Sequence, residues 1–181
     1  MTRIQPIDHN TADPAAADLL HTVKKKMGSV PNLIATMAHS PAVAKAYLGF
    51  SQTLSSGFLP PRVREQIALV VGETNHCDYC LAAHTALGKA AGLSEQETRA
   101  ARRAHSPVEK EQAALELARK IVQDRGMIAD TQLGRVRQAG YTDGEIAEIV
   151  AHVALNIFTN YFNHVAGTAV DFPAAPSLAA A

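Results

Sequence analysis

Two cysteines and two histidines share one short stretch, His76-Cys77-Asp78-Tyr79-Cys80-Leu81-Ala82-Ala83-His84, and these are the residues best equipped for chemistry. At about 100° per residue on a helix, Cys77, Cys80 and His84 fall within roughly a 60° arc, so two sulfurs and one imidazole share a face. An i,i+3 pair at a helix start can close and reopen a disulfide with little backbone movement. Free amide hydrogens in the first turn stabilise a thiolate there. His84, four residues after Cys80, is placed to act as a base or to share a proton with it. Thiol redox is the chemistry this spacing predicts.

On the residues alone two other readings stay open. One is a pair of inert buried thiols beside a satisfied core histidine. The other is zinc, because His76, Cys77, Cys80 and His84 are formally a Cys2His2 set. Structural zinc sites, however, usually draw ligand pairs from two separated segments, and nine residues of one helix do not easily surround an ion.

The elements that must hold these groups read almost wholly as helix. Asp13-Pro14 supplies an N-cap and a first helical position, with Gly28 placed to close that helix. Ser40-Pro41 repeats the device, ending near Gly57. Pro60-Pro61 opens an apolar helix through Val63, Ile67, Leu69, Val70 and Val71, and the cysteine helix runs from after Asn75 to about Gly92. Three Ser/Thr-x-x-Glu patterns follow, Ser94/Glu97, Ser106/Glu109 and Thr142/Glu145, each the signature of a capping box. A shorter helix from about Thr131 closes near Gly140. The expectation is an all-α, single-domain bundle of about seven or eight helices over residues 1–173, with a flexible tail over 174–181.

Composition limits the partners. Seventeen basic residues balance seventeen acidic ones, and the one basic run, Lys24-Lys25-Lys26, sits where a helix end favours cations. Nucleic acid is not an expected partner. Two cysteines, three positions apart, do not make a secreted disulfide scaffold. The segment Met1-Thr-Arg-Ile-Gln-Pro lacks the apolar core of a signal peptide, which makes the cytoplasm the expected location. Residues 149–170 carry no Asp, Glu, Lys or Arg, a length that would span a bilayer. Yet His152, Asn156, Asn160, Asn163 and His164 are costly in lipid. The stretch reads instead as a helix buried in protein, at a subunit interface of a homo-oligomer, with no membrane partner.

The chain resembles the alkylhydroperoxidase D-like branch of the carboxymuconolactone decarboxylase superfamily. The likeness rests on Arg62-Val-Arg-Glu65, an apolar helix, and then Cys77-x-x-Cys80-x-x-x-His84, with Glu65 twelve residues before Cys77. The ending Asn156-Ile-Phe-Thr-Asn160-Tyr-Phe-Asn163, continuing to Asp171-Phe-Pro173, is similar to a peroxidase-related subgroup. The likeness spans most of residues 15–173.

That resemblance implies an all-α fold assembled as trimers or hexamers, with no metal or organic cofactor. It implies that Cys80 attacks a hydroperoxide, that Cys77 resolves the sulfenic acid into a disulfide, and that a dithiol reductant restores both thiols. It further implies that Glu65 and His84 deprotonate the attacking thiol. The residues alone would make Glu65 a salt-bridge partner of Arg62 or Arg64; the family spacing gives it the other role. Tyr79 departs from the pattern, since the family's prototype peroxidases have histidine there, and a phenol with a pKa near 10 is a poor base at neutral pH. The lactone decarboxylases lack the cysteine pair, which disfavours decarboxylation. The expected function is a thiol-dependent peroxidase, with a non-catalytic thiol-redox switch or interaction protein as the alternative. His152, Asn156, Asn160 and Asn163 form a polar stripe at helical spacing, read as a hydrogen-bonded contact, or, for His152 or Asn160, as pocket lining.

Overall fold

Proline, glycine and capping side chains cut the chain at the positions the sequence marks. The computed structural model describes residues 1–8 and 10–178, and among them it forms nine helices and no strand. These are α1 (Pro14–Met27), α2 (Asn32–Met37), α3 (Pro41–Ser55), α4 (Pro61–Thr74), α5 (Asp78–Ala90), α6 (Glu95–Arg102), α7 (Glu109–Gln123), α8 (Asp130–Gln138) and α9 (Asp143–Ala166). Asp13 accepts the N–H groups of Ala15 and Ala16 at 3.0 and 3.1 Å, and Gly28 closes α1 in the left-handed region at φ 82°. Ser94 and Thr142 make full capping boxes with Glu97 and Glu145.

Two expectations need correction. The bundle has one helix more than the seven or eight predicted. The extra element is α2, whose six residues are too few to show a period. The Ser106/Glu109 capping box does not form. Helix α7 starts two residues later, capped at Val108, because the Ser106 hydroxyl donates to Glu111 at 2.6 Å instead. Glu111 sits beneath it, also held by Arg62 and Gln66, both at 2.8 Å.

Helix α4 is the hub and packs on α5, α6, α7 and α9. From Gln66 to Gly72 every residue is buried, as expected of a helix with neighbours on all sides. Helix α5 lies close to α4 at Gly72, where a Cβ would stand in ordinary contact with the side chains of Leu81 at 3.4 Å and Cys80 at 3.6 Å. The chain leaves α4 through His76, whose left-handed φ of 56° is uncommon for a residue with a side chain. The Cys77 N–H then bonds back to the Gly72 carbonyl at 2.9 Å, so α5 begins with a sulfur at its N-cap.

The apolar interior divides in two. One cluster joins α4, α6, α7, α8 and α9 around Leu69, Leu115 and Ile149. The other joins α1, α2 and α3 to the start of α5, and it holds Cys77, Tyr79, Cys80 and Ala83. Residues 174–178 cross α6, where the guanidinium groups of Arg102 and Arg103 donate to the Pro176 and Leu178 carbonyls. The last residues of the tail expected over 174–181 lie outside the described ones. Among the described residues no helix is long and apolar enough to cross a membrane.

Candidate active site

Cys77 and Cys80 form a disulfide with their Cα atoms 5.3 Å apart. Both residues are buried, and the Cys80 N–H points at the Cys77 sulfur at 3.4 Å. A backbone donor at the helix start therefore faces a sulfur, the arrangement that stabilises a thiolate once the bond is reduced.

Glu65 comes to this site from the middle of α4 and His84 from one turn past Cys80. The Glu65 carboxylate lies 2.8 Å from His84 Nδ1. With Nδ1–H donating to Glu65, the lone pair falls on Nε2, the nitrogen free to take a proton. Neither neighbouring arginine competes for Glu65. Arg62 is committed to Glu97 and Glu111, and Arg64 donates to the carbonyls of Leu54 and Ser55 at the end of α3. The salt bridge that the local sequence suggests for Glu65 is therefore replaced by a contact nineteen residues along the chain.

Tyr79 has another task. Its hydroxyl accepts the Leu33 N–H at 3.2 Å, and the Asp171 carboxylate lies close by. Its ring stands edge-on to Phe172 with centroids 5.8 Å apart. Burial, with the Asp171 carboxylate adding to it, pushes the phenol far above its ordinary value. The hydroxyl thus stays protonated and ties α2 and the 171–172 segment over α5. His76 lies on the Cys77 side and His84 on the Cys80 side, and among the described residues no three His, Cys, Asp or Glu are grouped to hold a metal ion.

The polar stripe of α9 divides its labour. Asn160 accepts from Asn75 at 2.9 Å, and Asn156 turns back to the His152 carbonyl at 2.8 Å. Asn163 alone reaches the sulfurs: its Nδ2 lies 3.3 Å from Cys80 Sγ and 3.9 Å from Cys77 Sγ. Sequence reasoning placed Asn163 in the stripe without assigning it to the site. Its signal was the turn-by-turn repeat with Asn156 and Asn160, but which asparagine meets the thiols depends on how α9 crosses α5.

Three cavities surround these groups. One of about 80 Å³ brings Cys80 and His84 together with Leu33, Ile34, Tyr47 and Phe172. A second of about 280 Å³ opens on Cys77, beside His76, Asp78, Asn163 and His164. The third, about 140 Å³, lies behind the Glu65–His84 pair and is polar, with Arg64, His152 and Asn156 in its wall. The two sulfurs thus face different openings, and of the two cysteines Cys80 shares its opening with His84.

Residues 41–124, from the start of α3 to the end of α7, match the Carboxymuconolactone decarboxylase family. No curated protein matches the chain. Among solved structures, the fold is similar to a peroxidase-related protein with an alkylhydroperoxidase AhpD core from Ralstonia eutropha JMP134. The TM-score is 0.82 at 23% identity, covering 94% of this chain and 92% of that one. A peroxidase-related protein from Silicibacter sp. TM1040 gives 0.79 at 23% identity, covering 92% and 91%. The debrominase Bmp8, in complex with 2,3,4-tribromopyrrole, gives 0.79 at 20% identity, covering 94% and 92%. These likenesses establish the fold, and the helices that carry Glu65, both cysteines and His84 are those the family match covers.

Proposed function

We propose, from the match of residues 41–124 to the Carboxymuconolactone decarboxylase family, that the chain is a thiol-dependent peroxidase that reduces hydroperoxides through the Cys77–Cys80 disulfide. The observation that carries this reading is the Glu65–His84 hydrogen bond of 2.8 Å beside the cysteine pair. A thiol switch that only changes shape needs no oriented base.

In the reduced protein His84 takes the Cys80 proton, held in the correct tautomer by Glu65. The Cys80 thiolate attacks the distal oxygen of the hydroperoxide, and the O–O bond breaks. The products are a Cys80 sulfenic acid and an alkoxide, which recovers the proton from His84 to leave as the alcohol. The Cys77 thiolate then attacks the Cys80 sulfur and displaces hydroxide, which leaves as water with the proton Cys77 lost. The disulfide is the product. A dithiol reductant returns two electrons and two protons through the opening on Cys77. The apolar lining of the Cys80 cavity, Leu33, Ile34 and Phe172 among it, suits an organic hydroperoxide.

The deciding experiment is consumption of cumene hydroperoxide and hydrogen peroxide by the reduced protein, with several dithiols as donors and 2,3,4-tribromopyrrole as a competing substrate. Turnover of peroxide with quantitative disulfide formation is expected. Bromide release without peroxide turnover would replace the reading by reductive dehalogenation. Neither activity, with the disulfide still cycling, would leave the redox switch.

A further inference from the structure

We propose that His152 is a positioning residue for proton transfer, holding hydrogen-bonded water in the polar chamber behind Glu65 and His84. The His84 proton would then exchange with bulk solvent through this chamber rather than through the cavity that admits the peroxide. The inference rests on the peroxidase reading for its purpose, though not for its test.

The chamber is a built one. Its volume is about 140 Å³, room for several waters by the criterion of roughly 10–15 Å³ for each. It is walled by Tyr47 and Ser51 of α3, Arg64 and Glu65 of α4, His84 of α5, and His152 and Asn156 of α9. His152 is only 6% exposed, yet its buried Nε2 has no hydrogen-bond partner among the described residues. An imidazole nitrogen withdrawn from bulk water and left unpaired costs free energy, and water within the chamber would supply the missing bond. Other polar groups of the wall can hand such a water onward, among them the Tyr47 phenol, the Ser51 hydroxyl, the Asn156 amide and the Glu65 carboxylate.

The charges that face His152 are mixed. Arg64 on α4 and His84 on α5 disfavour its cation, whereas Glu65 on α4 and Glu148 on its own helix favour it. Burial is the largest influence and lowers its pKa, which keeps the ring neutral near pH 7. A neutral imidazole can both accept and donate, which an orienting group for water requires. The opposite cavity, where Cys80 lies, is lined mainly by apolar side chains and offers a proton few partners. His84 belongs to both cavities. It can take the Cys80 proton on one side while the Glu65 carboxylate bonded to it meets the water on the other.

The test uses the full chain carrying Cys77→Ser, so that Cys80 is the only thiol, and reads the rate of alkylation by iodoacetamide across pH. Alkylation needs the thiolate but no peroxide. With His152→Leu, which keeps the volume and removes the hydrogen bonds, alkylation at pH 7 should slow by about tenfold and its midpoint should rise by about one pH unit. His152→Gln should stay within about threefold of the parent, because an amide can still hold water. Ser51→Leu, on the half-buried rim, should slow alkylation in the same direction by filling the chamber, without disturbing the core. Unchanged profiles in both His152→Leu and Ser51→Leu would overturn the inference, as would equal losses in His152→Leu and His152→Gln, which would mark a merely structural role. If the alkylation shift appears while hydrogen peroxide is not consumed, the proton route stands and the peroxidase reading falls.

Discussion

The carboxylate of Glu65 and Nδ1 of His84 lie 2.8 Å apart, joining the middle of α4 to the second turn of α5. In the proposed mechanism the contact fixes the imidazole tautomer and leaves Nε2 to take the proton of Cys80. Glu65→Gln and His84→Ala should each slow the first oxidation of the reduced protein by roughly 10²-fold. The melting temperature should remain close to the parent's, since both side chains are only half-buried. Stopped-flow thiol fluorescence after a peroxide pulse checks this, and equal rates in parent and variants would remove the pair from the mechanism.

The two cysteines should behave unequally, because only Cys80 shares a cavity with His84. Cys80→Ser should abolish the reaction with peroxide. Cys77→Ser should oxidise once and stop, leaving a sulfenic acid on Cys80 that a dimedone-type probe labels. Labelling of Cys77 in the Cys80→Ser protein at the parent rate would reverse the assignment.

Asn163 donates toward the Cys80 sulfur at 3.3 Å, and a donor that bonds the charged form favours it. Asn163→Leu should therefore raise the pH midpoint of Cys80 alkylation by about one unit in the Cys77→Ser background. A midpoint that does not move would confine Asn163 to packing.

Tyr79 separates structural from chemical roles. Tyr79→Phe keeps the ring against Phe172 but loses the bond from the Leu33 N–H, at a cost of roughly 1–3 kcal/mol in unfolding free energy. The rate of first oxidation should stay within about threefold of the parent, well short of the loss expected for an acid–base group. Denaturant unfolding and the peroxide pulse together decide it, and a large rate loss with no stability loss would return Tyr79 to the chemistry.

Acid should unfold the protein through the α4–α6–α7 ion cluster. The Arg62 hydrogen bond, aided by the Ser94 capping contacts, holds Glu97 down to about 2. Burial alone would raise Glu111, but bonds from Arg62, Ser106 and Gln66 outweigh it and hold it below the usual carboxylate range. Depressed acids stabilise the fold above their unfolded value of about 4.3, and that contribution is lost as pH falls through the folded values. The melting temperature should be flat above about pH 5 and fall below it, while Arg62→Met should be less stable at pH 7 and show a shallower acid decline. An equally steep decline in the variant would contradict this origin.

Helix α9 leaves Val150, Phe158, Tyr161 and Val165 on one exposed face, in a segment without charged residues. Light scattering at micromolar concentration should give a mass above one chain, and Phe158→Glu should lower it. A parent that scatters as a monomer would refute the oligomer.

Much of this was legible before any coordinates. Caps and prolines bound most helices because their effects are local, and the spacing of Cys77, Cys80 and His84 already implies one helical face. What escaped depends on distant packing. Glu65 is ambiguous in sequence because Arg62 and Arg64 are its nearest cations, yet both are drawn away by groups on other elements. The choice of Asn163 over Asn160 as the sulfur's neighbour is set by the crossing of α9 over α5. Helix α2 was missed because six residues carry too little period, and Ser106 misled because Glu111, five residues on, outbids a helix cap for its hydroxyl.

The covering of the cysteines by the 171–172 segment also bears on how the protein is made. Asp171 accepts the Asn32 N–H at 2.7 Å and Phe172 stands against the Tyr79 ring, so the roof over α5 leaves the ribosome well after α5 itself. At roughly 5–20 residues per second, Cys77 and Cys80 emerge several seconds before that roof exists. During that interval the nascent chain carries two accessible thiols with no cavity to select what reaches them. Whatever selectivity the Cys80 cavity has is thus acquired only once residues 171–172 are made, whereas the thiols are open to any oxidant from the moment α5 emerges.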